Sequence, residues 1–269
     1  MNISWELAAL ALLTAVSPPR TQAQEETKGQ IEPRAEKELR AAFDYLAQAP
    51  SFIVKAELWR ERVTDTGEKL QFTRTMELDV RRPDHLHADV RGTVSHRQFW
   101  YEGKTLAVFD QRRNLYSTVD LPGSLDSAFD SAQKDYGIDL PLVDLVVSKP
   151  FDSAVAKVEK GRYLGIVPVL GVDCHHLAFT QENIDWQIWI SSGAQPLIRK
   201  IVLNHKIDPG EPQFTALLTY WDLNARIADS AFAFDASPGA TRIPMQKAPP
   251  EQADESNARS AAAKGSTNP

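Results

Sequence analysis

The only cysteine of the chain lies beside two histidines, in the stretch VDCHHLAF that spans residues 172–179. A thiolate and an imidazole can bind zinc, or can act together as a nucleophile and its base. The apolar neighbours predict a β-strand, whose successive side chains point to opposite faces, so His175 and His176 cannot share one metal ion. Cys174 and His176 share a face, but two ligands are fewer than the three or four that zinc takes from proteins. The pattern favours a buried thiol, with one histidine hydrogen-bonded in the core and the other facing outward.

A nucleophilic pair made of Cys174 and His176 is also incomplete. Side chains two residues apart on a strand lie about 6 to 7 Å apart at their Cα atoms, a poor distance for proton transfer between them. The chain has no GxSxG, P-loop, dinucleotide-binding or EF-hand motif. We therefore predict a protein that is not an enzyme and that needs no cofactor. A thiol- or metal-dependent enzyme at Cys174 and His176 is kept as an alternative.

The first 23 residues differ in composition from the rest of the chain. Residues 7–16, LAALALLTAV, form an uncharged apolar run that is too short to span a bilayer, and the small residues Thr21 and Ala23 precede a cleavage point. We predict a secretory signal peptide over residues 1–23 and a periplasmic location. Glu6, without any Lys or Arg before the apolar run, is atypical of such a signal. Because one cysteine cannot form an internal disulfide, the hydrophobic core must stabilise the exported protein.

The charge balance limits the possible partners. The formal net charge of the chain is −6 and its pI is about 5.6, and no Lys/Arg run is dense enough to bind a phosphate backbone. Nucleic acid is therefore not expected as a partner. Hydrophobic residues at 42% and charged residues at 25% are usual for a soluble globular domain, and we expect a monomer.

Period-two patterns dominate the chain after one helix. Leu39, Ala42, Phe43 and Leu46 have helical spacing before Pro50. From Ser51 on, alternation predicts strands, beginning with a hairpin of SFIVKAELWRERV and KLQFTRTMELDV that turns at TDTG. Short strands continue to about residue 120 and again over residues 163–225.

A helical insertion interrupts the strands. Leu125, Ala128, Phe129 and Ala132 have helical spacing that ends at Gly137, and a second short helix is expected over residues 141–147. One antiparallel sheet of this length should curl, because sheets twist. The predicted fold class is mainly β with some helix (α+β): a half-barrel covered by an N-terminal helix and a central helical lid. Its inner face is expected to be apolar and partly unfilled, which suits an apolar ligand.

Four segments resemble, in order and spacing, the periplasmic lipoprotein carrier LolA of the Lol pathway and its relatives. They are SFIVKAELWRERVTDTG, LDVRRPDHLHADV, YEGKTLAVFD and AFAFDASPGA, and the resemblance covers about residues 35–243. The segments YGIDLPLVDL, DCHHLAF, DWQIWI, PLIRK and WDLNA are similar to a bacterial family of predicted periplasmic proteins without an assigned function. The Cys-His-His strand belongs to that second family and not to the lipoprotein carriers, so a lipoprotein cargo is not assumed.

The resemblance to LolA implies an incomplete barrel whose apolar concavity holds acyl chains. It also implies that an arginine before the proline of an R-P pair latches the lid when the cavity is empty, and the matching residue is Arg82. Arg82 has the parity of Leu78 and Val80, which places it on the same side, although a solvated arginine at the rim would also fit. Arg74 has the same parity. The candidate ligand-binding residues are Arg82, Arg74, Phe72, Met76, Leu78, Trp100, Phe129, Leu142 and Trp186.

Together these patterns predict a periplasmic protein that binds or carries a lipid or an acylated ligand, with a membrane protein as possible donor or acceptor. The alternative is an envelope sensor or protein-interaction module that uses the same half-barrel. The predicted organisation is a signal peptide over residues 1–23, a flexible segment over 24–34, the half-barrel over 35–245 and a disordered tail over 246–269.

Overall fold

The strands of the computed structural model, which describes residues 30–248, form one curled and unclosed sheet. The spatial order is β1-β8-β9-β10-β11-β12-β2-β3-β4-β5-β6-β7-β13. The strands are β1 (Gln30–Ile31), β2 (Ser51–Val63), β3 (Lys69–Arg81), β4 (His85–Gly92), β5 (His96–Glu102), β6 (Thr105–Asp110), β7 (Leu115–Asp120), β8 (Lys160–Val169), β9 (Val172–Thr180), β10 (Ile184–Ser191), β11 (Ile198–His205), β12 (Gln213–Asp222) and β13 (Thr241–Arg242). The predicted half-barrel is confirmed.

Three α-helices and two 3-10 turns accompany the sheet in the described range. They are α1 (Pro33–Ala47), α2 (Leu125–Tyr136) and α3 (Pro150–Val155), with turns at Val143–Leu145 and Asp229–Ala231. Ser124 caps α2 by accepting a hydrogen bond from the Ser127 amide, and Gly137 ends it in the left-handed conformation. We call residues 125–155 the lid.

The hairpin of β2 and β3 shows why the two faces of the sheet differ. Ser51 pairs with Arg81 and Val63 with Lys69, so the even-numbered residues of both strands lie on one face. That face, the inner face, carries fully buried Val54, Leu78 and Val80. The odd-numbered residues are mostly polar and lie on the outer face.

The inner face packs against the helices in one core cluster. Leu39 and Phe43 of α1, and Leu125 and Phe129 of α2, belong to the same cluster as the inner residues of the strands. Several inner residues have no exposed surface, so the lid fills most of the predicted apolar concavity, and the space that stays open lies at one end of the inner face. The helices fill the space because each has an apolar stripe that only the sheet can cover.

The ends of the described range differ from the prediction in two respects. Gln30–Ile31 pair with β8, and Pro33 begins α1, so this part of the segment predicted as flexible has regular structure. β1 and β13 pair in parallel with β8 and β7, whereas all other pairs are antiparallel. The predicted signal peptide and most of the predicted tail lie outside the described residues.

Candidate ligand-binding site

Arg82 joins the end of β3 to the lid. Its guanidinium donates hydrogen bonds to the carbonyl oxygens of Val146, of Val147 at 3.3 Å and of Leu145 at 3.3 Å. These carbonyls end the 3-10 turn of the lid, where backbone acceptors have no partner within the turn. The side chain also lies over the ring of Phe52, with Cζ 5.7 Å from the ring centroid.

Burial is the main influence on the Arg82 charge. It lowers the pKa of the guanidinium, and the nearby carboxylate of Asp126 acts in the opposite direction. Asp126 itself accepts a hydrogen bond from the Ser148 amide at 2.9 Å. Arg82 thus fastens one end of the lid to the end of β3, and the hydrogen bond between Ser148 and Asp126 joins two parts of the lid to each other.

Most predicted ligand-binding residues lie on the inner face or on the lid above it. Met76 and Leu78 are buried on β3, Phe129 is buried on α2, and Trp186 of β10 stacks on Phe179 with ring centroids 4.0 Å apart. Leu142 and Phe72 are half-buried, and Leu142 packs against the core. These positions agree with the predicted side of the sheet, while ligand contact itself stays a prediction.

The prediction that Trp100 lines the ligand cavity is wrong, because Trp100 lies on the outer face of the sheet. Phe99 and Tyr101 take the inner positions of β5, and Trp100 packs on His87 and on Phe234, each with ring centroids 5.1 Å away. Phe234 belongs to a C-terminal segment, residues 229–243, that crosses the outer face; we call it the strap. The strap covers the apolar side of Trp100 that the sequence pattern assigned to a cavity.

A cavity of about 570 Å³ lies at the end of the inner face opposite Arg82, and its walls are basic. Arg74 was predicted to point inward, and it lines this cavity. The sequence pattern missed the other arginines: Arg62, Arg97, Arg112 and Arg113. Asp110 and the lid residues Asp139 and Pro141 also line the cavity. The even-numbered position of Arg62 on β2 places its side chain on the inner face, so the sequence pattern could have indicated this residue. Arg112 and Arg113 lie in a turn, where no alternation indicates the direction of a side chain.

The Cys-His-His strand divides between the two faces, as the period-two pattern predicts. His175 lies on the inner side, 3.0 Å from the Tyr163 hydroxyl through Nδ1 and 3.6 Å from a carboxylate oxygen of Glu38 through Nε2. His176 lies on the outer side, where it stacks on Trp189 at 4.1 Å and bonds the side-chain oxygen of Gln187.

Cys174 is fully buried on the outer side of β9. Its sulfur donates to the carbonyl oxygen of Val172 at 3.3 Å and packs with Trp189 and Val202. Burial raises the pKa of the thiol, which keeps it protonated and poorly reactive. Within residues 30–248, no group of three or more His, Cys, Asp or Glu residues could hold a metal ion.

The family of predicted periplasmic proteins described as DUF2092 matches residues 35–246, most of the chain. The chain belongs to this family. Membership of DUF2092 confirms the predicted periplasmic location and the predicted resemblance. Over the described residues of this DUF2092 member, no helix is both long and apolar enough to cross a membrane.

Solved structures with a similar course of the chain include three bacterial proteins of low sequence identity. LprF from Mycobacterium bovis is 11% identical with a TM-score of 0.47, and the match covers 75% of this chain and 99% of that one. The lipoprotein LppX from Mycobacterium tuberculosis is 14% identical with a TM-score of 0.44, covering 73% and 100%. An uncharacterized conserved protein from Thermus thermophilus is 8% identical with a TM-score of 0.46, covering 78% and 99%. No curated protein sequence matches the DUF2092 chain.

Proposed function

We propose that this protein is a periplasmic carrier or binding protein that holds the acyl chain of a lipid or an acylated molecule between the inner sheet face and the lid. One observation carries the proposal: the lid covers a continuous apolar sheet face, and the Arg82 guanidinium fastens it there. We also propose that the protein is not an enzyme, because Cys174 is a buried thiol and both neighbouring histidines already have protein partners.

The inner face is suited to an acyl chain once the lid moves away. The paired residues Val54, Leu78, Ala88, Phe99 and Val108 form an apolar row across five strands. Opening the lid would expose this row to water at a cost of about 25 cal/mol per Å² of apolar surface. An acyl chain that covers the same surface removes this cost, so ligand and lid compete for one face.

The Arg82 latch adds a limited cost to the opening of the lid. A hydrogen bond to a charged group contributes about 1.5 to 3 kcal/mol, and this value falls where water reaches the partners. The three carbonyl contacts of Arg82 are thus comparable with the burial of up to about three large apolar side chains. To displace the lid, a ligand must therefore offset both these contacts and the apolar surface that the lid itself buries.

Quenching of tryptophan fluorescence by a brominated fatty acid tests this proposal, because bromine quenches an indole only at short range. Trp186 lies on the inner face and Trp189 is its neighbour on the outer face. Trp221 of β12 also packs against the inner core, on Phe52. We expect the brominated ligand to quench the unmodified protein and the Trp189→Phe variant, and to quench the Trp186→Phe/Trp221→Phe double variant much less. Unbrominated fatty acid of the same length is the control for quenching without contact.

Two outcomes would count against the proposal. Absence of any quenching at ligand concentrations below micelle formation would mean that no acyl chain binds. Quenching that disappears only in the Trp189→Phe variant would place the ligand on the outer face.

The second candidate function is a protein-interaction module, and the β8–β9 hairpin favours it. Leu164, Ile166, Val167 and Leu170 of this hairpin are exposed apolar residues. Exposed apolar clusters often mark surfaces that bind another protein. A stoichiometric partner that binds the lipid-free protein, and that Ile166→Asp releases while fatty-acid binding persists, would support this second function.

A further inference from the structure

The basic cavity at the open end of the half-barrel carries a charge opposite to that of the whole chain. Five arginines and two aspartates line it, a formal excess of three positive charges, whereas the chain has a net charge of −6. The cavity volume of about 570 Å³ is large enough for a small-molecule group, since ligand pockets start at about 300 Å³.

Three of the arginines form no ion pair within the described part of the chain. The side chains of Arg62, Arg74 and Arg97 form no hydrogen bond or ion pair with any residue in the range 30–248. Arg113 lies 3.9 Å from Asp110, and Arg112 donates to the carbonyl oxygen of Thr93. Five guanidinium groups around two carboxylates repel one another on balance, so their convergence on one cavity favours a bound anion.

Gly92 of β4, the cross-strand partner of Arg74, leaves room for the Arg74 side chain beside the cavity. A Cβ atom at Gly92 would lie 2.9 Å from Cγ of Arg74. The glycine therefore leaves the space that the arginine stem occupies. Burial lowers the pKa of Arg74, as do the neighbouring charges of Arg60, Arg62 and Arg97, and only Asp139 acts in the opposite direction.

The basic cavity continues into the apolar inner face. Val90 and Phe99 line the cavity and also belong to the buried core. Arg74 and Arg82 are eight residues apart, about 26 Å along an extended strand, with Met76, Leu78 and Val80 between them on the same face. A ligand that lies along this face would thus have its polar end at the arginines.

We propose that the basic cavity binds the phosphate group of an amphiphilic ligand whose acyl chain lies along the inner sheet face. Arginine matches phosphate because its planar fork can donate two parallel hydrogen bonds to phosphate oxygens. A phosphate monoester carries about 1.5 to 2 negative charges, which compensates the excess charge better than one carboxylate does. The position of the acyl chain rests on the proposed function above, whereas the phosphate contacts do not.

Asp139 of the lid is the anion that now faces this cluster. Its carboxylate lies 4.0 Å from the Arg60 guanidinium. A phosphate group in the cavity would compete with Asp139, so binding at this end would weaken the hold of the lid. The Asp139→Asn variant should therefore bind a phosphate amphiphile several-fold more tightly.

Calorimetric titration of the mature protein in phosphate-free buffer tests the proposal with four probes. They are oleoyl lysophosphatidic acid, monoolein with the same chain and a neutral headgroup, oleic acid, and inorganic phosphate. We expect lysophosphatidic acid to bind at least about tenfold more tightly than monoolein, an advantage that added salt reduces. Oleic acid should fall between them.

An Arg74→Gln/Arg97→Gln variant should bind lysophosphatidic acid no more tightly than monoolein. Its affinity for monoolein should stay unchanged, and this unchanged affinity shows that the inner face is intact. Arg91→Gln is the matched control. Arg91 is exposed on the outer face of β4, the strand that pairs with the Arg97 strand β5. Equal affinity of the unmodified protein for lysophosphatidic acid and monoolein would overturn the phosphate site and leave the proposed function in place. Binding of inorganic phosphate alone, with no affinity for any acyl probe, would support a free-phosphate site and overturn both the lipid source and the proposed function.

Discussion

The Arg82 guanidinium is a partly buried charge that bonds backbone carbonyl groups and pairs with no carboxylate in the described part of the chain. An arginine stays protonated even where burial lowers its pKa, so its charge must be compensated by hydrogen bonds. The carbonyls of the lid provide these bonds only while the lid is closed. The state of Arg82 and the position of the lid are therefore coupled.

Replacing Arg82 with Leu should raise the affinity for an acyl probe about tenfold, because loss of the latch removes a closed state that competes with the ligand. Hydrogen exchange of the lid amides should become faster in the same variant. Arg91→Leu, on the exposed outer face, is the control. An unchanged affinity together with unchanged exchange would show that Arg82 is a rim residue and not a latch.

Cys174 is expected to contribute to packing alone. Cys174→Ala removes one buried atom beside Trp189 and Val202, so unfolding in urea should show a loss of about 1 kcal/mol. Binding of acyl probes should not change. Loss of ligand binding in this variant would give Cys174 a functional role.

Because the pKa of the Cys174 thiol is raised, the native protein should react slowly with thiol reagents at neutral pH and rapidly after unfolding.

Regular elements with a clear period could be predicted from the sequence. β2, β3 and α2 lie where their patterns place them, because alternating strands and amphipathic helices have one apolar side each. α3 was missed, and a 3-10 turn replaces the short helix expected over residues 141–147. These pieces are too short to show a period, and contacts with the core determine their form.

The strap explains why one aromatic residue was assigned to the wrong face. Trp100 alternates correctly with its neighbours on β5, but both faces of this strand are covered, so alternation does not separate core from surface there. Phe234 also packs on Tyr116, with ring centroids 5.1 Å apart. The outer apolar cluster depends on residues far apart in the sequence, and no local pattern indicates such a contact.

Phe234→Ala should therefore destabilise the protein by about 2 to 3 kcal/mol, less than for a fully buried phenylalanine because Phe234 is half-buried. Trp100 would become exposed to water, and its fluorescence emission should shift to longer wavelength. Ile243→Ala changes an exposed residue of the same segment and should shift stability by less than about 0.5 kcal/mol. A Phe234→Ala variant as stable as the unmodified protein would contradict the role given to the strap.

At the scale of the whole molecule, the curl of the sheet brings residues that are far apart in the sequence into one cavity. The basic cavity combines residues of β2, β3, β5 and the lid with the turn after β6. The sequence indicates which residues of a strand share a face, but it does not give the register between strands or the position of the lid. The inward direction of Arg74 could be predicted for this reason, and its convergence with Arg97 and Arg112 could not.

Native mass spectrometry of the protein, purified from its own periplasm without detergent, tests the central claim most directly. We expect a population with one bound molecule, whose fragmentation releases an acyl chain, and we expect delipidation to yield a form that binds a fluorescent fatty-acid probe. Protein that carries no bound lipid, and that binds no such probe after delipidation, would contradict the claim that the half-barrel holds an acyl ligand.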